Sequence, residues 1–386
     1  MSKSDLIASL KAVVSSDVSL SEPLLDQNDI ERVADCIRSG YISSISPFVD
    51  QFERSLETVV GAGYACSVVN GTAALMLAMR AMGVEPGTEV FVPALTFVAT
   101  ASAVCQLGAT PHFLDADLTT LTITSDILSA RISEIGRFDN GILVNKISGN
   151  RIVGVVPVHI FGHCSNLASV VRLARQYNLF VLEDASEALG SLNQEVHAGL
   201  FGDAGVLSFN GNKIISTGGG GAIVTNSETI WRRVKHLSTT AKVQNAPRSI
   251  HDEVGYNFRL PGLNAALGCA QLSKLDLIID QKRFLYKCYR DALAGYREYS
   301  ILEEPPNSRS NYWLQALQLS EPLSENQYEN FVSELNSSGI AARAIWQPLH
   351  LNKPYKNFPK GQLMNTLYLS RTLINLPSTR KLSWHY

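Results

Sequence analysis

Short apolar segments alternate with helix-like segments between residues 64 and 225. The apolar run YACSVVN is followed by GTAALMLAMRAMG, which is apolar on nearly all sides. The alternation continues through TEVFVPA, a helical segment near 97–107, TPHFLDAD, IVGVVPVHI, a helical segment over 166–177, LFVLED, GVLSFN and AIVT. Continuous apolar strands that alternate with helices are typical of a parallel sheet covered on both faces. The pattern therefore predicts an α/β fold.

The remaining segments have other patterns. Residues 116–150 are irregular and allow a small helix and a hairpin. After about residue 228 the pattern changes to a loop rich in polar groups, a long helical region over 262–295, and then NYWLQALQL, ENQYENFVSELNSSG and AARAIW, which suggest a strand, a helix and a strand. We expect an N-terminal arm (1–22), a large domain with a mostly parallel sheet (23–250) and a smaller, mixed α/β domain (251–386).

Two helices are predicted before the alternation begins. Residues 4–15 place an apolar stripe on one face, which could dock on a partner subunit or pack on its own chain. The second helix is predicted to begin near Asn28, with Glu31 completing a capping box, and to end at Gly40. The residues expected on its buried face are Ile30, Val33, Ala34 and Ile37.

Composition narrows the class of protein. The chain has 386 residues, of which 45 % are hydrophobic and 18 % charged, as in ordinary globular proteins. The net charge of −2 without charged blocks argues against nucleic acid or an anionic membrane as a partner. No apolar run of about 18 residues and no signal peptide is present. The six scattered cysteines lack a CxxC pair, so we expect reduced thiols, no metal site and a cytoplasmic location.

Polar side chains follow several predicted strands at their carboxyl ends. They are Asn70-Gly71-Thr72, Thr96-Phe97, His159, Asp184 and Ser208. Ligands of open parallel sheets bind at this edge. Each residue alone could simply form a turn or a helix cap, but together they suggest a binding site.

One cofactor suits this set of residues. Gly71 and Thr72 open a helix whose N–H groups could hold a phosphate, and Ser208 could donate a hydroxyl to it. Phe97 could stack on a flat ring, and Asp184 could pair with a protonated ring nitrogen. Lys213 could form a Schiff base, which completes the requirements of pyridoxal 5′-phosphate (PLP). A P-loop and a GxGxxG fingerprint are both absent from the sequence, although four glycines (Gly218 to Gly221) follow the lysine.

The ordered motifs resemble one enzyme family. VNGTAAL, PALTFVAT, VPVHIFGH, LEDASEALGS, SFNGNK, GYNFRLPGLNAALG and IWQPLH occur as in the nucleotide-sugar aminotransferases of the DegT/DnrJ/EryC1/StrS family, over roughly residues 22–378. The resemblance implies the PLP-dependent transferase type I fold, like that of aspartate aminotransferase, and a homodimer with shared active sites. It implies that Lys213 is the Schiff-base lysine, Asp184 the pyridinium partner and Phe97 the stacking residue. Gly71, Thr72 and Ser208 would bind the phosphate, and Asn257 would reach it from the other subunit.

Finer features resemble the LegC-like branch, which makes 4-amino sugars for bacillosamine and legionaminic acid. They are Glu187 beside the cofactor, the four glycines, SFNGNK and SRSNYWL. This resemblance implies glutamate as amino donor and a nucleotide-linked 2-acetamido-4-keto-6-deoxy sugar as acceptor. Glu187 should lie near the ring but be protonated or bonded elsewhere, because a carboxylate facing a phenolate is repelled. Candidates for the sugar-nucleotide groove are His159, Arg259, Arg309, Trp346 and His350, for each of which ordinary packing or a surface ion pair is an alternative.

Other functions remain open at this stage. The acceptor could be another keto sugar, of the perosamine or 8-amino-octulosonate type. A PLP sugar dehydratase is disfavoured because relatives of that kind carry His in place of the lysine. A PLP-binding regulatory protein without turnover and an α/β protein without a cofactor belong to different classes, and the response of the bound cofactor to glutamate would separate them from an aminotransferase.

Overall fold

A computed structural model of the chain describes residues 3–14, 19–244 and 246–379. The helices are α1 (Lys3–Val13), α2 (Gln27–Ser39), α3 (Pro47–Val60), α4 (Gly71–Ala81), α5 (Ala99–Gln106), α6 (Ser125–Ile135), α7 (Ala168–Gln176), α8 (Glu228–Ser238), α9 (Gly262–Leu272), α10 (Leu275–Leu293), α11 (Glu325–Ser337) and α12 (Met364–Leu369). The strands are β1 (Tyr64–Val68), β2 (Thr88–Pro93), β3 (Thr110–Leu114), β4 (Gly136–Asp139), β5 (Ile142–Asn145), β6 (Arg151–Val155), β7 (Phe180–Asp184), β8 (Leu192–Asn193), β9 (Val196–His197), β10 (Ala204–Ser208), β11 (Gly221–Thr225), β12 (Tyr299–Ile301), β13 (Ser308–Arg309), β14 (Gln315–Leu319), β15 (Arg343–Ala344) and β16 (Leu373–Leu376). No helix in these ranges has the length and apolar character needed to span a membrane.

A mostly parallel sheet forms the larger lobe, as the sequence predicts. Its main path runs β1-β11-β10-β7-β6-β2-β3, and the hairpin β4-β5 extends it at β6. The pairs β10-β7, β7-β6, β6-β2 and β2-β3 are parallel. Strand β11 runs antiparallel to both of its neighbours, because the tract between β10 and β11 contains no helix that could carry a parallel crossover.

The helices predicted between the strands are present. The apolar segment after β1 is α4, whose buried residues join the main core. The segments expected near 97–107 and 166–177 are α5 and α7. The irregular stretch 116–150 holds the expected small helix, α6, and the hairpin β4-β5. Helices α4 and α5 begin just after the carboxyl ends of β1 and β2, where the polar residues gather.

A second, antiparallel sheet forms the smaller lobe. Its strand order is β12-β14-β16-β15, and the predicted strand in AARAIW is reduced to the two residues of β15. Helix α1 packs on this lobe, where Leu6 and Leu10 are fully buried against residues such as Leu285 of α10 and Phe331 of α11. Of the two alternatives for the N-terminal helix, the structure therefore shows packing on its own chain. Residues 1, 2 and 15–18 of the expected arm lie outside the described ranges.

The second helix differs from its prediction at both its start and its buried face. Asp26 is the N-cap and forms a capping box with Asp29, so Asn28 and Glu31 do not have these roles. Gly40 ends the helix in the left-handed conformation, as predicted. Ile30 and Ile37 are 63 % and 59 % exposed, Val33 and Ala34 are half-buried, and Asp29 and Cys36 face inward. The reason is that Asp29 is bonded inside to Gln271 of α9 and Lys274, which turns the apolar face outward.

The boundary between the lobes is set by packing. Helix α9 lies against α2 and α3, and its Ala265 and Leu272 share a core cluster with Phe52 and Leu56 of α3. We therefore propose that the larger lobe continues past residue 250 and includes α9.

Candidate active site

One cavity of about 440 Å³ opens where the carboxyl ends of the strands face the smaller lobe. It is lined by Asn70, Gly71, Thr72, Thr96, Phe97, Ala99, Val158, Asp184, Ser186, Glu187, Ser208, Asn210, Asn212, Lys213, Trp313, Arg343, Ala344 and Trp346. The larger lobe contributes the ends of its strands, and the smaller lobe contributes the last four of these residues. The site is thus built from parts of the chain that are far apart in sequence.

The amino end of α4 forms one wall of the cavity. Asn70 caps the helix, because its side-chain oxygen accepts a hydrogen bond of 2.8 Å from the backbone N–H of Ala73. Gly71 comes next, and a Cβ added there would lie 3.1 Å from the Cβ of Ser208 and 3.4 Å from the hydroxyl of Ser186. Glycine therefore keeps the space between the helix end and two hydroxyls open. The positive end of a helix beside two hydroxyl donors suits a phosphate.

Asp184 ends the central strand β7 and is 4 % exposed. Its Oδ2 accepts a hydrogen bond of 2.7 Å from the hydroxyl of Thr100, and its Oδ1 accepts one of 3.2 Å from the backbone N–H of Ser186. These two donors fix the orientation of the carboxylate at the cavity wall. A carboxylate held in this way can pair with a protonated ring nitrogen and keep the proton on it.

Lys213 lies in the turn that follows β10. Its amine donates a hydrogen bond of 3.2 Å to Oε1 of Glu187 and sits 3.9 Å from the centre of the Trp313 ring. The indole N–H of Trp313 donates in turn to the carbonyl of Asn212, at 2.6 Å. The amine is therefore held between a carboxyl group and an aromatic face, inside the cavity.

Glu187 is almost fully buried behind Lys213. Its Oε2 accepts a hydrogen bond of 2.8 Å from the backbone N–H of Phe161, a residue with a φ of 60° that non-glycine residues rarely adopt. Burial raises the pKa of Glu187, and the nearby charge of Lys213 acts in the opposite direction. Glu187 is thus bonded to Lys213 and to a backbone donor. Its place beside the cofactor ring and its protonation stay predictions.

Trp313 is held from behind by a buried lysine. The amine of Lys282 donates hydrogen bonds of 3.0 Å and 2.9 Å to the carbonyls of Trp313 and Ser378. Burial lowers the pKa of Lys282 to about 7. Lys282 thereby links the backbone of Trp313, whose indole contacts Lys213, to helix α10 and to the backbone of Ser378.

The structure brings most of the predicted cofactor residues to this cavity. They are Gly71, Thr72, Phe97, Asp184, Glu187, Ser208 and Lys213, and Trp346 from the candidate sugar groove lines it too. Asn257 is exposed in a loop outside the lining of this chain's cavity. Which of these groups bind cofactor stays a prediction from the sequence.

The four other candidates for substrate contacts do not line the cavity. His159 is fully buried, and its Nε2 pairs with Oε2 of Glu183 at 2.8 Å. Arg309 is exposed and lies 3.5 Å from Asp280, while Arg259 and His350 each keep a buried nitrogen without a partner among the described residues. Their positions depend on tertiary packing, which the order of motifs alone does not reveal.

Sequence reasoning missed three residues of the lining that have a defined place in the site. Ser186 lies two positions after Asp184, in the motif LEDASEALGS, so its place beside Asp184 in the cavity could have been anticipated. Trp313 and Arg343 come from the smaller lobe, and nothing in their local sequence indicates that they face the sheet. They meet the site only because the second lobe folds over it.

The polar groups of the cavity fit a phosphorylated aromatic aldehyde such as PLP. The cradle at Gly71 would take the phosphate, Asp184 the ring nitrogen, and the amine of Lys213 the aldehyde. All three features open into the same cavity, so a single molecule could contact them together.

Comparisons with known proteins give the same answer. The model of the DegT/DnrJ/EryC1/StrS aminotransferase family matches residues 23–385. A GDP-perosamine synthase of Caulobacter vibrioides is 32% identical over 364 residues, which are 94% of this chain and 93% of the relative. EpsN of Bacillus subtilis, whose name gives it as a pyridoxal phosphate-dependent aminotransferase, is 34% identical over 331 residues, 86% of this chain and 82% of the relative. A solved structure of a family aminotransferase from Brucella abortus has a TM-score of 0.82 and 26% identity, and the match covers 92% of this chain and 91% of that one.

Proposed function

The chain belongs to the DegT/DnrJ/EryC1/StrS aminotransferase family, and from that premise we propose that it moves an amino group from glutamate to the 4-keto carbon of a nucleotide-linked 6-deoxy sugar. It is a PLP-dependent aminotransferase. The observation that carries the proposal is that Lys213, Asp184 and the open cradle at Gly71 face one cavity. The name of the Caulobacter relative supports a nucleotide-linked sugar as acceptor.

Different residues would bind the cofactor, protonate its ring and transfer a proton in this reaction. Bound PLP supplies an aldehyde that exchanges amino groups and a protonated ring that accepts electron density. The N–H groups of α4 and the hydroxyl of Ser208 would hold its phosphate, and Asp184 would keep the proton on its ring nitrogen. The amine of Lys213 would anchor the aldehyde and, once displaced, carry a proton between carbon atoms. Glu187 and Trp313 hold that amine in position.

Removal of the lysine tests the assignment most directly. We expect Lys213→Ala to keep its fold and to lose turnover by about 10²-fold to 10⁴-fold or more, because a positioned proton carrier contributes that much. The measurement is amino transfer from glutamate, with circular dichroism to check the fold. Lys242→Ala, at an exposed lysine, serves as the control. Substantial activity in Lys213→Ala would contradict the role given to the amine.

The sugar is the open part of the proposal. Glu187 and the glycine tract favour a 2-acetamido sugar of the LegC-like branch, whereas the Caulobacter relative favours the perosamine type. A panel of UDP-, GDP- and dTDP-linked 4-keto sugars with glutamate, with products analysed by mass and NMR, would separate the two. Amination of only the GDP-linked substrate without the acetamido group would overturn the LegC-like assignment.

The alternative function is that of a PLP-binding regulatory protein without turnover. Glutamate should bleach the visible absorbance of the bound cofactor if the chain is an aminotransferase. A regulatory protein would keep its colour when glutamate is added, and no keto acid would form.

We further propose a homodimer in which Asn257 reaches the partner's phosphate site. Support comes from exposed apolar side chains on α2 and the loop after it, namely Ile30, Ile37, Tyr41, Ile42 and Ile45. Several exposed apolar side chains on one helix and its following loop are typical of a protein interface. The cytoplasmic location expected from the sequence stays a prediction.

A further inference from the structure

Arg343 brings a guanidinium to the cavity from the smaller lobe. It lies on β15, which pairs antiparallel with β16, and its side chain forms part of the cavity wall. Within the described part of the chain, this guanidinium forms no hydrogen bond and no ion pair. Two other arginines of the second half of the chain do have acidic partners, since Arg283 pairs with Glu304 and Arg309 with Asp280. Arg343 is therefore a cation that remains available to a ligand.

The charged groups of the cavity show which ligand it could meet. Four charged residues line the wall, namely Asp184, Glu187, Lys213 and Arg343. With PLP present, Lys213 and Asp184 would be engaged by the cofactor. Glu187 lines the same cavity as Arg343, and it accepts a hydrogen bond from Lys213. Arg343 thus belongs to the wall of the cavity that contains the amine of Lys213.

An amino-acid donor needs a cation at this place. The carbon that gives up its amino group also carries a carboxylate, so the carboxylate must lie beside the amine of Lys213. A 4-keto sugar has no anion at the reacting carbon, and its diphosphate is attached on the far side of the ring. A guanidinium is always charged and binds a carboxylate through two parallel hydrogen bonds. Its place in the wall of the same cavity as Lys213 favours the donor's carboxylate over the distant diphosphate.

We propose that Arg343 binds the carboxylate of the amino donor, and so selects an amino acid for one half of the reaction. The inference rests on the proposed function. It places the donor-selecting contact on the smaller lobe, whereas the cofactor contacts come from the larger one. Because the sugar has no matching group, Arg343 would contribute to one half-reaction much more than to the other.

Binding of unreactive probes tests the contact without turnover. Trp313 and Trp346 line the cavity, so tryptophan fluorescence of the PLP-loaded protein can report binding of glutarate for the carboxylate and of UDP or GDP for the diphosphate. We expect Arg343→Gln to weaken glutarate about 10-fold to 100-fold, the range that hydrogen bonds to a charged group provide, and to leave UDP and GDP within about twofold. The glutarate affinity of Arg343→Lys should lie between those of the wild type and Arg343→Gln, because lysine keeps the positive charge but cannot form the two parallel hydrogen bonds.

The two half-reactions supply the second measurement. The glutamate concentration that half-bleaches the cofactor absorbance should rise by the same factor in Arg343→Gln, whereas reaction of the amine-form enzyme with the nucleotide sugar should stay near wild type. Arg232→Gln, an exposed arginine of α8 paired with Glu228, is the matched control.

The outcomes separate the two proposals. Wild-type protein that does not respond to glutamate at all would overturn the proposed function. A responsive wild type with unchanged glutarate and glutamate binding in both Arg343 variants would overturn only the role of Arg343. Weaker UDP or GDP binding with unchanged glutarate binding would reassign the residue to the diphosphate and likewise overturn the proposal.

Discussion

Glu187 places a carboxyl group 3.2 Å from the amine of Lys213, and Glu187 itself is only 5 % exposed. Its second oxygen is fixed by the N–H of Phe161, so the group cannot turn away from the lysine without losing that bond. Burial favours the neutral carboxyl and the lysine favours the charged one. The net direction is a raised pKa, which makes Glu187 the titrating group that most directly affects Lys213.

Substitution of this residue should be visible in the cofactor itself. A carboxyl group that can become negative beside the nitrogen of Lys213 favours the protonated form of the linked cofactor, so Glu187→Gln should shift the absorbance titration of bound PLP to lower pH. Identical titration curves for wild type and Glu187→Gln would count against the contact, and Glu228→Gln at an exposed site provides the comparison.

The raised pKa of Glu187 also makes the free energy of unfolding depend on pH. Between the ordinary value of 4.5 and the raised value, the folded protein holds a proton on Glu187 that the unfolded chain has released. The contribution of Glu187 to the free energy of unfolding is therefore present below pH 4.5 and is lost as the pH rises through the folded pKa. Denaturant unfolding of the cofactor-free protein should show this slope, and Glu187→Gln should lack it.

The proposed phosphate site depends on the amino end of α4. A methyl group at Gly71 would meet Ser208 at 3.1 Å and narrow the cradle. We expect Gly71→Ala to weaken PLP binding by about tenfold or more, equivalent to about 1.4 kcal/mol, as measured by equilibrium dialysis. Gly219→Ala is the matched control, because the nearest atom to its added Cβ is 3.9 Å away. Equal affinity in both variants would show that the phosphate binds elsewhere.

Elements with a strong local pattern were predicted best. Helix α4 follows from its pattern, since a segment that is apolar on nearly all sides favours a buried helix, whereas residues 116–150 are irregular in sequence and only allowed the hairpin β4-β5. The face of α2 was predicted wrongly, because periodicity shows that Ile30 and Ile37 share a face and does not show what covers it. The strand ends that form the cofactor side of the site could be placed from order alone. Arg343 and Trp313 could not, since their position depends on how two lobes meet.

The exposed face of α2 has a consequence for the assembly as a whole. If it is the contact between two copies, a charge introduced there should separate them, because an unpaired charge is costly to bury. We expect Ile37→Glu to convert a dimer to a monomer at micromolar concentration in sedimentation experiments. Ile147→Glu, at a residue that is 75 % exposed on the loop after β5, should leave the mass unchanged.

The same experiment bears on Asn257. If this residue completes the partner's site, separated copies of Ile37→Glu should also hold PLP less tightly than the Ile147→Glu protein does. A monomer that binds PLP as well as the control would contradict the shared site while leaving the interface itself supported.

Helix α1 is synthesised long before the segments that cover it. Leu6 and Leu10 are buried against residues such as Leu285 and Phe331, which lie more than half of the given sequence further along the chain. Contacts between such distant segments close slowly. During that interval the apolar stripe of α1 is without its cover, so the nascent chain presents a hydrophobic segment that chaperones could recognise until the smaller lobe emerges.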